Sequence, residues 1–311
     1  MSAPSVTVGF GDLLASRVAE RSSQIILGLD PDPARLWPRA VELAGGVGQP
    51  PAARAAFAVA AHCALAIDAV AAHCVAIKPQ VACFERLGAP GWAALHEVMQ
   101  RGRDAGLIVL ADAKRGDIDV TAASYAQAFL GETPTHFGPV RGLDADAMTV
   151  NPLLGEDSLA PFVATARANG RGLFVLVRTS NPGAADLQDV PLQQGGTVSD
   201  QLARTVDKLG APGVGTSGLS DVGAVVGATA PGKLESLREQ MPHTPFLLPG
   251  VGAQGGRVQE LAPAFAPGRA GGLVSASRGI VDAYRQAGGD PAGAARDEAA
   301  RLQELSWNLA A

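Results

Sequence analysis

Cysteine is scarce in this chain, and it comes in an odd number: three residues, Cys63, Cys74 and Cys83, with no Cys-x-x-Cys pair. That excludes a disulfide framework of the kind that staples small secreted domains, and it argues against a structural zinc site. His62-Cys63 and His73-Cys74 resemble a metal quartet, but they lie in or beside an Ala-rich segment, where such residues are ordinarily packed as small apolar groups. No metal is expected there. Charge is also thin, at 18% of residues with a net charge of −5, so no general attraction for nucleic acid or an anionic membrane follows. A local basic pocket for a small anion is still allowed. The N-terminal stretch MSAPSVTVGFGDLLASRVAERSS lacks a basic segment followed by an apolar core and a cleavage site, and no uninterrupted apolar run is long enough to span a bilayer. The expectation is a cytoplasmic protein without membrane or nucleic-acid partners.

What the chain does have is apolar substance: 47% hydrophobic residues over 311 positions, enough for one large α/β barrel or two ordinary domains. Its most informative stretch is LIVLADAKRGDIDVT at 107–121, where an aliphatic run stops at charged residues. Leu107 to Leu110 has the pattern of a strand buried on both faces. Residues two apart on an extended strand end point the same way, so Asp112 and Lys114 are expected to project together, with Asp117 following past Gly116. An ammonium held between carboxylates stays protonated and is able to deliver a proton. The competing reading is a surface ion-pair cluster on a βα turn.

The same alternation of strand and helix runs along the whole chain. Strands are expected at 24–30, 74–78, 107–110, 145–151, 172–178, 222–227, 245–249 and 271–276. Helices are expected at 12–22, 52–72, 91–104, 120–130, 157–168, 197–209, 234–240 and 280–309, the last broken near 288–291. The polar, turn-rich stretch 183–196 reads as a mobile loop over the strand ends, where a lid would be. Without a linker or a shift in composition, this pattern favours a single (β/α)8 TIM barrel over residues 1–311, with extra N-terminal and C-terminal helices. Asp30, Lys78, Asp112, Lys114, Asn151 and Ser180 all fall at predicted strand C-termini, the face on which such barrels build active sites.

Two nucleotide-like motifs give way on inspection. GVGAQG at 250–255 fits GxGxxG, but the segment some twenty residues on, RAGGLVS, has no acidic residue for a ribose. It reads better as a glycine-rich turn whose backbone N–H groups hold one phosphate, completed by Ser277 and Arg278 after the eighth strand. GATAPGKL at 227–234 approaches a P-loop, yet Leu234 stands where the magnesium-binding hydroxyl belongs and Pro231 lies within the loop. A βα turn is expected.

Taken in order, LADAKRGDI at 110–118, TVNPLLGEDSL at 149–159, VRTSNPGA at 177–184 and PGVGAQGG at 249–256 resemble the orotidine 5′-phosphate decarboxylase family, in particular its longer bacterial group. The resemblance runs from Phe10-Gly11-Asp12 to Ser277-Arg278-Gly279. It implies decarboxylation of orotidine 5′-monophosphate to UMP with neither metal nor organic cofactor. It further implies that Lys114 protonates the C6 carbanion, that Asp112 sits beside the substrate carboxylate, and that Lys78 and Asp117 complete an alternating network. Asp30 and Lys78 are then expected at the ribose, Ser180 at the pyrimidine, and Pro249, Gln254, Gly255 and Arg278 around the substrate and its phosphate. Asp117, Ile118 and Thr121 are expected from a partner subunit, which makes the active unit a homodimer. Two alternatives stay open: a metal-dependent relative acting on keto sugar phosphates, disfavoured because Lys78 stands where that relative carries an acidic ligand, and a non-enzymatic binder of phosphate ligands on the same fold.

Overall fold

Each of the eight short aliphatic runs becomes a parallel strand, and together they close. In the computed structural model, which describes residues 8–45, 48–252 and 254–310, the strands are β1 (Ile25–Leu29), β2 (Ala76–Pro79), β3 (Ile108–Arg115), β4 (Ala147–Val150), β5 (Gly172–Arg178), β6 (Val222–Val226), β7 (Phe246–Pro249) and β8 (Gly272–Ala276). They form one closed barrel in the order β1-β8-β7-β6-β5-β4-β3-β2. The first seven residues of the stretch read for a leader, and Ala253 of the glycine-rich turn, lie outside the described residues.

The strands are buried on both faces, and period-two alternation sorts their side chains into two cores. Ile26, Ala76, Ile108, Leu110, Ala147, Phe174, Val225, Leu247 and Leu273 fill the barrel interior; Ile25, Leu27, Ile77, Val109, Val175 and Leu248 face the surrounding helices. The helix Phe10–Arg21 closes the bottom of the barrel. Phe10 is buried edge-on against Phe174, ring centroids 6.1 Å apart, and glycine at 172 is required because an added Cβ would lie 2.2 Å from the Phe10 ring.

The helix Pro51–Val70 starts on Pro51 and is rich in alanine, as a helix that must pack closely should be. By length and composition the segment Pro51–His73 is apolar enough to cross a bilayer, which the sequence reading had not allowed; more than half of it is buried inside the protein, where its small side chains meet the barrel and the helix Ala89–Asp104. The sequence reading also passed over the short helices Pro38–Leu43 and Val81–Glu85 and a two-stranded ribbon, Glu132–Thr133 with Val140–Arg141.

Between β7 and β8 the outer layer departs from a strict (β/α)8 pattern: three 3-10 turns, Val258–Glu260, Ala262–Phe265 and Arg269–Gly271, stand where a helix would be. Pro263, Pro267 and Gly268 interrupt any helical ladder there. The stretch 183–196 is likewise more structured than a free loop. Arg178 on β5 grips Asp189 with two hydrogen bonds of 3.0 and 2.9 Å, and Gln188 accepts from the Thr179 backbone N–H at 2.8 Å. Both contacts tie the loop's middle to the end of β5.

Candidate active site

Simple alternation does not by itself bring Lys114 to Asp112. The register between β3 and β4 slips, with Ala111 opposite Met148 but Arg115 opposite Val150, so β3 carries two more residues than its partner across the same span. Within this bulge Lys114 adopts a left-handed backbone, φ 48°, which costs a non-glycine residue about 1–2 kcal/mol. Thr149 on β4 compensates: its Oγ1 accepts from the Lys114 backbone N–H and donates to Asp112 Oδ1, both at 2.9 Å. Arg115, next along, pairs with Glu85 and lies over the rings of Tyr125 and Phe129, which anchors the far side of the bulge.

The result is a carboxylate saturated on both oxygens. Asp112 Oδ1 receives Lys114 Nζ at 2.6 Å as well as Thr149; Oδ2 receives Lys78 Nζ at 2.6 Å and Gln80 Nε2 at 3.0 Å. Lys78 and Asp112 are 6% and 5% exposed, whereas the Lys114 side chain is 43% exposed and opens to the cleft. Burial alone would push the Asp112 carboxyl up, but the two ammonium groups and their hydrogen bonds hold it well below the usual carboxylate range. Burial likewise works against a charged Lys78, and the Asp112 and Asp30 charges overcome it and raise its ammonium above the ordinary lysine value.

These groups sit at one end of a cleft of about 530 Å³ lined by Asp30, Lys78, Asp112, Lys114, Ser180, Pro249, Gln254 and Arg278, all expected from the sequence, over an apolar floor of Leu176, Val225 and Leu247. Two glycines make the closeness possible. A Cβ at Gly227 would lie 2.7 Å from Ser180 Cα, and Gly250, at φ 99°, turns the chain after β7. Its described residues Gly252, Gly255 and Gly256 are tied by backbone bonds and lead to the 3-10 turn Val258–Glu260 rather than to an α-helix, unlike a dinucleotide fingerprint. GATAPGKL is the turn after β6 leading into the helix Pro231–Gln240, as expected.

Sequence reasoning missed Gln80 and Thr149, whose role depends on which strands become neighbours. Conversely, Asp117, Ile118, Thr121 and Gly255 do not line the cleft of their own chain. Asp117 Oδ1 accepts from the Ile118 backbone N–H at 2.8 Å, and Ile118 and Thr121 are exposed. The candidate metal quartet does not assemble. His62 Nδ1 accepts from Trp37 N–H, His73 Nδ1 meets Gln303, and burial raises the Cys74 thiol to about 12; among the described residues no group of three or more His, Cys, Asp or Glu is arranged to hold a metal.

A parallel barrel with a lysine–carboxylate–lysine chain fixed at its strand ends, facing a glycine turn and an arginine with no ion pair among the described residues, is a (β/α)8 enzyme with a cleft suited to a small anionic molecule. The chain belongs to the orotidine 5′-phosphate decarboxylase / HUMPS family, whose model matches residues 23–297. It is 40% identical to the orotidine 5′-phosphate decarboxylase of Deinococcus radiodurans over 306 residues, 96% of this chain and 97% of that one. To the enzyme of that name from Haloarcula marismortui it is 42% identical over 93% of this chain and 91% of the relative. Among solved structures, Leishmania donovani OMP decarboxylase superposes with a TM-score of 0.72 at 31% identity, covering 96% of this chain and 99% of that one.

Proposed function

We propose that this chain decarboxylates orotidine 5′-monophosphate to UMP and carbon dioxide, the last step of de novo pyrimidine nucleotide synthesis. The observation that carries the reading is the Lys78–Asp112–Lys114 chain, two ammonium groups on either side of one buried carboxylate. Breaking the bond from C6 to the carboxylate leaves an electron pair on carbon. Lys114 Nζ supplies the proton that forms the new C6–H bond, and its charge, oriented beforehand by Asp112, stabilises the carbanion without reorganising solvent. Asp112 stands beside the departing carboxylate; Asp30 and Lys78 hold the ribose; Ser180 and Pro249 bound the pyrimidine. Gln254, Gly255 and Arg278 take the phosphate, whose binding energy holds the reacting end in place.

The reading includes a homodimer. Asp117, Ile118 and Thr121 do not line their own cleft, and Ile118 and Val120 after β3, with Leu153 and Leu154 after β4, expose apolar side chains. A second copy covering that face would bring Asp117 to the neighbouring Lys114. The test is the loss of orotidine 5′-monophosphate absorbance on mixing with purified protein in buffer containing a chelator. Conversion to UMP is expected; a folded dimer that leaves the substrate intact, with chelator or with added magnesium, sinks the proposal.

A further inference from the structure

We propose that Trp37 is a positioning residue for Arg278, acting through the short helix Arg278–Val281 that follows β8. The inference rests on the reading of Arg278 as the phosphate-binding cation. Arg278 is exposed and has no ion pair or side-chain hydrogen bond among the described residues, so nothing on the guanidinium itself fixes its direction. Its aim is set by the backbone from which it springs.

That backbone is seated from two sides. On one, β1 lacks a side chain where the loop passes: a Cβ added at Gly28 would lie 2.7 Å from Ser277 Cβ. On the other, Trp37 Nε1 donates to the Val281 carbonyl at 3.0 Å, the last residue of the helix that Arg278 opens. Trp37 is itself pinned to the outer shell. Its backbone N–H donates to His62 Nδ1 at 3.1 Å, and its ring stands edge-on to the imidazole with centroids 5.4 Å apart. Trp37 and His62 are 3% and 5% exposed, and His62 belongs to the long helix Pro51–Val70. A chain of contacts therefore runs from that helix through Trp37 to the base of Arg278. The exposed Arg35–Asp282 pair, at 3.9 Å, adds little.

The seat matters because there is space beside it. A cavity of about 190 Å³, lined by Asp30, His62, Ser277 and Arg278 among others, adjoins the substrate cleft. Packed interiors hold a short helix in one position, whereas a neighbouring void leaves it room to shift once a hydrogen bond is lost.

Trp37→Phe keeps an aromatic ring and deletes the donor. Its expected effect is a roughly three- to tenfold rise in KM for orotidine 5′-monophosphate, matched by the same weakening of competitive inhibition by inorganic phosphate, with kcat within about twofold. A merely structural Trp37 would reduce the folded fraction, lowering apparent kcat while KM and phosphate inhibition stay put, and that outcome overturns the proposal. In an Arg278→Ala background the substitution should add nothing further to KM; additive effects also overturn it. If Trp37→Phe does not fold, 3-benzothienylalanine at position 37 preserves the shape of indole and still removes the N–H, with the same expectations. Calorimetric titration with UMP and with inorganic phosphate reads the seat without turnover. Wild-type protein that binds both yet leaves orotidine 5′-monophosphate intact would defeat the decarboxylase reading alone, whereas unchanged phosphate affinity in the variant would defeat this one alone.

Discussion

Asp112 shows how much a single side chain can organise. Its two oxygens take four donors, and the carboxylate and the ammonium groups on either side of it offset each other's charge in a buried setting. Because the Asp112 pKa is depressed, its contribution to stability is complete above the ordinary carboxylate value and is lost only as pH falls through the lower folded value. Lys78 is raised, so its contribution is complete below the ordinary lysine value and is lost as pH climbs through the higher one. The Lys78–Asp112 pair is thus charged throughout the neutral range. Replacing Lys114 with alanine should leave UMP binding within about tenfold and reduce turnover by three or more orders of magnitude, measured by calorimetry and steady-state rates on the same preparation. Unchanged turnover would remove Lys114 from the chemistry. His62 titrates in a different window: burial lowers its pKa to about 4, partly offset by Asp282. The unfolded chain binds that proton first, so stability should fall by on the order of 3 kcal/mol as pH drops from the ordinary histidine value towards 4, and no further from this group below it. His62→Asn keeps an acceptor for Trp37 and does not titrate. Urea unfolding from pH 7 to 4.5 should show a shallower acid decline in that variant, and an identical slope would count against the assignment.

At the scale of elements, the strands were legible because each is a short aliphatic run bounded by glycine, proline or charge, and their C-terminal polar residues marked one face of the barrel. The bulge in β3 was not legible, since it depends on Thr149 becoming the neighbour of Lys114, 35 residues away. Pairing between strands also decides the place of Gln80, and packing between helices distant in sequence that of Trp37, so no local pattern could have announced them. The missing helix between β7 and β8 was foreshadowed only by its prolines, and what holds the substitute together is a buried cation. Arg238, 6% exposed, donates to the carbonyls of Met241, Thr244, Ala264 and Gly271 at 2.7 to 3.0 Å and lies over the Phe246 ring at 3.7 Å. With no carboxylate partner among the described residues, burial lowers its pKa to about 9, which still leaves it charged at pH 7. Arg238→Met would leave four carbonyls without that donor. The expected loss is on the order of 3 kcal/mol or more in urea unfolding, with KM unchanged because the clamp lies at the bottom of the barrel, away from the cleft. A KM that rises in step with the loss of stability would show that the clamp reaches the glycine-rich turn above it.

For the whole molecule, the question is whether one chain suffices. The cleft of a single chain holds Lys78, Asp112 and Lys114, while Asp117 is turned towards its own Ile118 amide on a loop that also presents apolar side chains to solvent. A monomer would expose that apolar surface and leave Lys114 with one carboxylate. In a symmetric dimer the same patch is covered on both copies, and each Asp117 serves the other copy's site. This arrangement makes a prediction that neither a monomer nor a dimer with self-contained sites shares. Lys114→Ala and Asp117→Ala should each be nearly inactive when pure. Mixed and allowed to exchange subunits, half of the dimers become heterodimers, and in each of these one site has lost both residues while the other has both intact. The mixture should therefore recover roughly a quarter of wild-type specific activity. If each site were built from one chain, every site in the mixture would still lack one of the two residues, and no activity would return.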